Sequence, residues 1–308
     1  MTVNLIIGGA SKAGSTAIYD ILRQNNAFFL PQRKELHYFS RSFLEKTVTG
    51  PGDKAVFDEI PSSFIDYLSY YDKKKPSQVA VDVSPSYLFH HDSAELIART
   101  LPDVKVIFLL RRPEDKVFSQ YMHLLGEGRE KLNFEEGLKQ ELNRKALGFA
   151  DMWLYRESGY YADAIANFQD TLGPDKVKVF LFDDFIRDPD VVLREICKFV
   201  GLKDSQVFDT NLKSNVSGSP RSLLLAQMMS PNRFTNFLRR RLPPGIGAWV
   251  RRRLRILNTG TKPKLSCDTR TELGTYYNDD IIRLEKLIGR STGWRSASND
   301  QSVNHKIY

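Results

Sequence analysis

Nine residues near the start of the chain read Gly8-Gly9-Ala10-Ser11-Lys12-Ala13-Gly14-Ser15-Thr16. Glycines let a backbone turn tightly and present N–H groups to an anion. A helix that follows directly adds the positive end of its dipole. Lys12 brings a full charge, and Ser15 and Thr16 bring hydroxyl donors. This combination suits a phosphate group. The run departs from the loop of nucleoside triphosphatases, in which lysine directly follows the last glycine. Here Ser15 follows Gly14, and Lys12 comes two residues before it, which argues against ATP hydrolysis. The plainer alternative is a glycine-rich turn with Ser15 capping a helix.

Two further segments carry residues of the right types. One is Arg111-Arg112-Pro113-Glu114-Asp115-Lys116-Val117-Phe118-Ser119-Gln120-Tyr121. A guanidinium can grip two phosphate oxygens at once, and Ser119 lies at helical distance from Arg111. Its alternative is a surface cation at a strand end. The other is Lys34-Glu35-Leu36-His37-Tyr38-Phe39. From the residues alone, Glu35 reads as a solvated carboxylate paired with Lys34 or Arg33. His37 either orients a substrate or packs beside Tyr38 and Phe39. His90 and His91 read as loop residues ahead of a helix, and an adjacent pair cannot make a helical i, i+4 metal site. His123 reads as a structural residue. No metal is expected.

These residues must be positioned by strands and helices. Four short apolar runs, Leu5 to Ile7, Val79 to Val83, Val104 to Leu110 and Val177 to Phe182, are rich in Val, Ile and Phe with little polar alternation. Strands buried on both faces have this character. Helical patterns follow them at Thr16–Leu22, Ser93–Thr100, Glu114–Leu125 and from Pro189, where Gly201 marks the stop. Strands alternating with helices imply a parallel sheet, whose ligands bind beyond the carboxyl ends of the strands. The expectation is one α/β domain over residues 1–308, with a central parallel sheet flanked by helices and a P-loop-like strand-loop-helix. An irregular basic insertion lies near residues 230–265.

The three motifs together resemble those of sulfotransferases that use 3′-phosphoadenosine 5′-phosphosulfate (PAPS). Lys12-Ala13-Gly14-Ser15-Thr16 is similar to that family's 5′-phosphosulfate loop, K-x-G-T-[ST]. The run from Arg111 to Tyr121 resembles its 3′-phosphate segment, R-x-P-x-x-R-x-x-S-x-Y. Lys34 to Phe39 resembles the K-E-x-H-[FY]-F block of the heparan-sulfate branch and its bacterial relatives. Ser158-Gly159-Tyr160 and Trp294 sit where such enzymes carry a Gly-Tyr pair and a closing aromatic. Ser15 replaces a more usual Thr and keeps the hydroxyl. Lys116 replaces an Arg and loses the planar fork. Asp82 stands where relatives often carry Glu or Lys.

The resemblance implies in-line sulfuryl transfer without a metal. Glu35 would be the general base, with a pKa raised by a low-dielectric cleft. Lys12 would stabilise the leaving oxygen. Lys12, Ala13, Gly14, Ser15 and Thr16 would hold the 5′ end, and Arg111 and Ser119 the 3′-phosphate. Tyr160 would add a nucleotide contact. Apart from the resemblance, the polar loop Asn215 to Arg221 reads either as bringing Arg221 over the nucleotide or as a structural loop. Ser84 to Tyr87 would shape the acceptor pocket. The Glu35 block implies a carbohydrate or glycolipid acceptor.

Composition bounds the alternatives. The 308 residues are 41% hydrophobic and 27% charged, within the range of a folded globular chain. Two cysteines, Cys197 and Cys267, are too few for a disulfide framework; Cys197 falls in an apolar helical pattern and reads as core. The net charge is +8, but twelve Lys and Arg and no acidic residue lie between Asp209 and Asp268. The remainder sums to 8 − 12 = −4, which weakens any global nucleic-acid reading. With no membrane-length apolar run and no signal peptide, a cytoplasmic location is expected. Arginines 239–241, 251–253 and 255, interspersed with Phe234, Phe237, Trp249 and Ile256, suit an anionic membrane surface contacted through 234–257. A solvated basic lid and a groove for an anionic polysaccharide are the alternatives. A nucleotide or small-molecule kinase, with Asp183-Asp184 or Asp82 as Mg²⁺ ligand, is the competing activity.

Overall fold

The strand before the glycine loop, β1 (Leu5–Ile7), has every side chain buried, as a strand covered on both faces requires. The computed structural model describes residues 2–203, 206–210 and 263–295. The other strands are β2 (Phe28–Phe29), β3 (Val79–Val83), β4 (Lys105–Leu110) and β5 (Val177–Leu181). They pair in the order β2-β3-β1-β4-β5, all parallel. The helices are α1 (Ser15–Leu22), α2 (Arg41–Leu44), α3 (Asp53–Phe57), α4 (Phe64–Ser69), α5 (Ser86–Phe89), α6 (Asp92–Thr100), α7 (Pro113–Gly126), α8 (Phe134–Lys139), α9 (Glu141–Ala146), α10 (Ala162–Leu172), α11 (Phe182–Arg187), α12 (Pro189–Phe199) and α13 (Cys267–Ile288). The four apolar runs are thus β1, β3, β4 and β5. The four expected helices are α1, α6, α7 and α12, and Cys197 is core.

The register explains where a site can form. Ile7 pairs with Val83 on one side and Ile107 on the other, so the loops leaving β1, β3 and β4 emerge at one edge. Chain order reverses across β1, and at such a switch point the departing loops diverge and leave a crevice. The glycine loop is pressed onto β4 by Ala10 N–H donating to Leu109 O at 2.9 Å. A Cβ on Gly9 would lie 2.6 Å from the Leu109 backbone nitrogen and oxygen, so only glycine permits this approach.

Two elements depart from the expectations. The longest of the described helices, α13, packs on α10 and α7. Its Asp280 carboxylate accepts from the backbone N–H of Tyr161 at 2.8 Å and of Ala162 at 3.2 Å, satisfying the open amides at the start of α10. Lys116, expected to replace a phosphate-binding Arg, turns into the core instead. It is 1% exposed, and its Nζ donates to Ser158 O at 2.8 Å and to Ser158 Oγ. Burial pulls its pKa down to about 7, with Asp151 and Glu141 opposing. The basic insertion and Arg221 lie outside the described residues.

Candidate active site

The loop after β1 enters α1 through two left-handed residues, Lys12 (φ 67°) and Gly14 (φ 95°). No side chain caps α1, so its first N–H groups have no side-chain acceptor, a suitable end for an anion. Ser15, Thr16, Lys12, Ser11 and Gly14 line a cleft of about 750 Å³. Ala13 is fully buried in the core behind them. Burial lowers the Lys12 pKa, with the Glu35 carboxylate opposing.

Arg111 leaves the end of the neighbouring β4. Its Nη1 donates to Lys12 O at 3.1 Å, and its guanidinium lies over the Phe182 ring at 5.0 Å. Phe182 also packs against Gly14, where an added Cβ would be 2.8 Å from the ring. Tyr161 Oη donates to Arg111 O at 2.9 Å. Ser119, on the face of α7 turned to the cleft, completes this side.

The segment 34–40 forms the opposite wall and is pinned to the end of β3. Glu35 N–H donates to Val83 O at 3.1 Å, and His37 N–H donates to Ser84 Oγ at 3.2 Å. His37 Nδ1 and Ser86 Oγ are 2.6 Å apart, and Ser86 Oγ meets Ser40 Oγ at 2.7 Å. Glu35 (φ 63°) and His37 (φ 54°) are left-handed. With Lys12 they are the only non-glycine residues of positive φ among those described. Such conformations cost roughly 1–3 kcal/mol each and collect where a site needs a particular geometry. Lys34 Nζ donates to Thr16 Oγ1 at 2.8 Å, Ser15 Oγ at 3.3 Å and Glu35 Oε1 at 2.5 Å. His37 Nε2 stands 3.8 Å from Glu35 Oε2.

The Glu35 pKa corrects an expectation. Burial pushes it up, but the Lys34 ammonium and His37 outweigh that, and it lies below the ordinary carboxylate value. The carboxylate is ionised by its ion pair, the partner that the plain reading of the residues gave it.

The structure brings Lys12, Gly14, Ser15, Thr16, Glu35, His37, Arg111 and Ser119 into one cleft. Pro85 and Ser86 join them from the loop after β3, as that loop's position implied. Tyr160 is not among the lining residues; its ring packs on Tyr276 and Tyr277. Trp294 is buried and donates its indole N–H to Asp183 Oδ2 at 3.0 Å. His123, expected to be structural, lines the cleft, 3.6 Å from Glu127 Oε1; burial pulls its pKa down to about 4. His90 lies in the loop ahead of α6, as expected, and is buried there against Phe43 at 4.0 Å; burial pulls its pKa to about 3. Sequence reasoning missed Phe182, Arg129, Asp151 and Met152 in the lining; only Phe182, the last residue of an apolar run, carried any signal.

The carboxylates available to a kinase are engaged elsewhere. Asp183 holds the Trp294 indole, and Asp184 pairs with Arg187 at 2.5 Å and Arg290 at 2.8 Å. Asp82 is buried beneath the cleft, where it accepts from Ser84 Oγ at 2.7 Å, Tyr87 Oη at 2.8 Å and Tyr67 Oη at 3.0 Å. Burial raises its pKa and those hydroxyls oppose the rise. Among the described residues, no three His, Cys, Asp or Glu side chains are grouped to hold a metal.

Comparison with known proteins gives this cleft a context. A model of the sulfotransferase family matches residues 4–206. A sulfotransferase structure from Alicyclobacillus acidocaldarius is 29% identical, with a TM-score of 0.77, over 96% of this chain and 100% of that one. The sulfotransferase domain of the curacin biosynthetic pathway matches at 16% identity and a TM-score of 0.47, over 90% and 97% of the two chains. A sulfotransferase domain from a Synechococcus olefin synthase matches at 18% and 0.44, over 90% and 94%. Among curated proteins no match was found.

Proposed function

The chain belongs to the sulfotransferase family, and we propose that it moves a sulfuryl group from PAPS to an acceptor hydroxyl with Glu35 as general base. The observation that carries this reading is the coincidence of strain and chemistry. The three left-handed non-glycine residues among those described, Lys12, Glu35 and His37, all line the cleft that Arg111 and Ser119 also line.

The residues fit two separate anionic groups. Lys12, the Ser15 and Thr16 hydroxyls and the open amides of α1 suit the 5′-phosphosulfate. Arg111 and Ser119 suit the 3′-phosphate, which separates PAPS from ATP. Phe182, already under the Arg111 guanidinium, offers a ring face near the nucleotide. In the reaction the acceptor oxygen bonds to sulfur while the bond from sulfur to the bridging oxygen breaks. The electron pair stays on the 5′-phosphate of the departing 3′-phosphoadenosine 5′-phosphate (PAP), where Lys12 neutralises it. The acceptor proton passes to the ionised Glu35 carboxylate; a positioned base contributes ~10²–10⁴ in rate. His37, tied to Ser86, orients the carboxylate. Asp82, buried under three hydroxyls, supports the β3 loop and leaves the proton to Glu35.

We assign a carbohydrate or glycolipid hydroxyl as the acceptor. Thr47, Phe57, Arg129, Asp151 and Met152 mix ring and apolar faces with polar groups around the rest of the cleft, a lining suited to a sugar. Residues 1–308 are read as one such domain, in the cytoplasm, with the segment 234–257 contacting an anionic membrane. That segment and Arg221 lie outside the described residues. Among those described, no helix is long and apolar enough to cross a membrane. Incubation with PAPS and a panel of polysaccharides and glycolipids, following PAP release and sulfated product, tests the assignment. Product from sugar acceptors is expected; product only from phenols or amines overturns the acceptor class.

A further inference from the structure

Among the described residues, Lys34 is the cation whose hydrogen bonds join both halves of the machinery. Its ammonium has three N–H donors. They go to the Thr16 hydroxyl at 2.8 Å, the Ser15 hydroxyl at 3.3 Å and the Glu35 carboxylate at 2.5 Å. Two of these acceptors belong to the loop assigned to the donor's 5′ end, and the third is the assigned base. Its side chain is 17% exposed against 42% for Glu35, so the ion pair is screened less than a surface pair.

We propose that Lys34 is a donor-operated latch on Glu35: the phosphosulfate draws its ammonium off the carboxylate, and the freed carboxylate then receives the acceptor proton. The proposal rests on the assignment of PAPS to this cleft. Two physical steps lead to it. A dianionic phosphosulfate placed on Ser15 and Thr16 presents oxygens to the same ammonium that bridges those hydroxyls. A charge-assisted bond to it competes directly with the bond to Glu35. A carboxylate that gives its lone pairs to an ammonium is a poor proton acceptor, and loss of that partner raises its pKa.

The groups facing Glu35 are few. Lys34 and His37 stand on its own segment, Lys12 on the loop after β1, and His123 on α7. Of these, only Lys34 hydrogen-bonds to both the phosphate loop and the carboxylate. The consequence is order: the donor enters first, and the base reaches its working strength only in the donor complex. An acceptor arriving early meets a carboxylate with its strongest acceptor site occupied. Water that arrives early meets no donor to hydrolyse.

The test is titration of the Glu35 carboxyl by carbon-13 NMR, with Glu35→Gln used to assign the signal. It is recorded for the free protein, with PAP, and with PAPS, in wild type and Lys34→Met. In wild type the titration is expected to move upward with PAPS. In Lys34→Met it starts higher and rises by less, because only repulsion by the bound dianion remains; an equal rise in both proteins would overturn the latch. Calorimetry on the same samples should show Lys34→Met binding PAPS roughly tenfold to a hundredfold more weakly, as for a lost charge-assisted hydrogen bond. Lys34→Arg, which keeps the charge, should restore part of that loss. PAP has the phosphates without the sulfuryl group, so a shift with PAP alone places the competing oxygens on the 5′-phosphate and still supports the latch. If PAPS binds wild type but the Glu35 titration does not move, the latch is wrong and the donor assignment stands. If PAPS does not bind wild type at all, the donor assignment falls and the latch falls with it.

Discussion

At the scale of single residues, the base and the nucleotide cation make separable predictions. Glu35→Gln removes the proton acceptor but keeps the shape and a partner for Lys34. Turnover should fall by at least ~10²-fold, while PAPS affinity measured by calorimetry is not weakened, since the amide competes less than the carboxylate for Lys34. Near-wild-type turnover would move the base to His37, whose Nε2 stands 3.8 Å from the carboxylate. Arg111→Ala should weaken PAPS by roughly tenfold to a hundredfold, the loss of one charge-assisted hydrogen bond. It should leave adenosine 5′-phosphosulfate, which lacks the 3′-phosphate, nearly unaffected. Equal weakening of both would show that Arg111 does not read the 3′ group. Most of these residues were legible in the sequence because charge, hydroxyl and glycine types announce themselves. The protonation of Glu35 was not, because its sign depends on whether burial or Lys34 wins, and that is settled only by the 2.5 Å contact. Nor was the inward turn of Lys116, whose type suggests an exposed cation.

At the scale of elements, strands covered on both faces declared themselves by unbroken apolar runs, and helices by their breaks. The two-residue β2 is too short to show any period. The 22-residue α13 hid for a different reason. Its inward face carries Asn278, Asp280 and Glu285, all buried, which interrupt the apolar stripe that marks a helix packed on a core. Asp280 is there to hold the start of α10, a tertiary demand no local pattern reveals. The segment 34–40 gave no backbone signal either, since left-handed φ at Glu35 and His37 is imposed by Val83, Ser84 and Ser86 from β3 and its loop. Burial of Lys116 within α7 has a consequence for stability. Its folded pKa, about 7, lies below its ordinary value of 10.5. Between those values the unfolded chain binds one proton more than the folded one, so stability rises with pH across that window. Lys116→Met should flatten that rise and be relatively more stable near pH 7, read from urea midpoints at pH 7 and 9. An unchanged slope would show that the lysine stays charged in the fold.

For the whole molecule, charge is divided. The stretch between Asp209 and Asp268 carries twelve cationic residues and no acidic one, and the remainder sums to −4. A positive segment on a negative body suits a peripheral contact with an anionic bilayer, where each Lys or Arg near the surface contributes roughly 1 kcal/mol. Co-sedimentation with phosphatidylserine-rich vesicles at low salt should be strong. It should fall when Arg251, Arg252, Arg253 and Arg255 are replaced by Ser. Absence of binding, or binding that survives those changes, would remove the membrane from the account.

The claim on which the rest depends is the identity of the donor. Equilibrium binding of PAPS and of ATP with Mg²⁺, measured side by side on the wild-type protein, addresses it most directly. The 3′-phosphate contacts assigned to Arg111 and Ser119, and the displaced Lys12 in a loop unlike that of a triphosphatase, predict that PAPS binds at least tenfold more tightly than Mg·ATP. Binding of Mg·ATP as tight as PAPS or tighter would contradict the sulfuryl-donor assignment and favour a kinase.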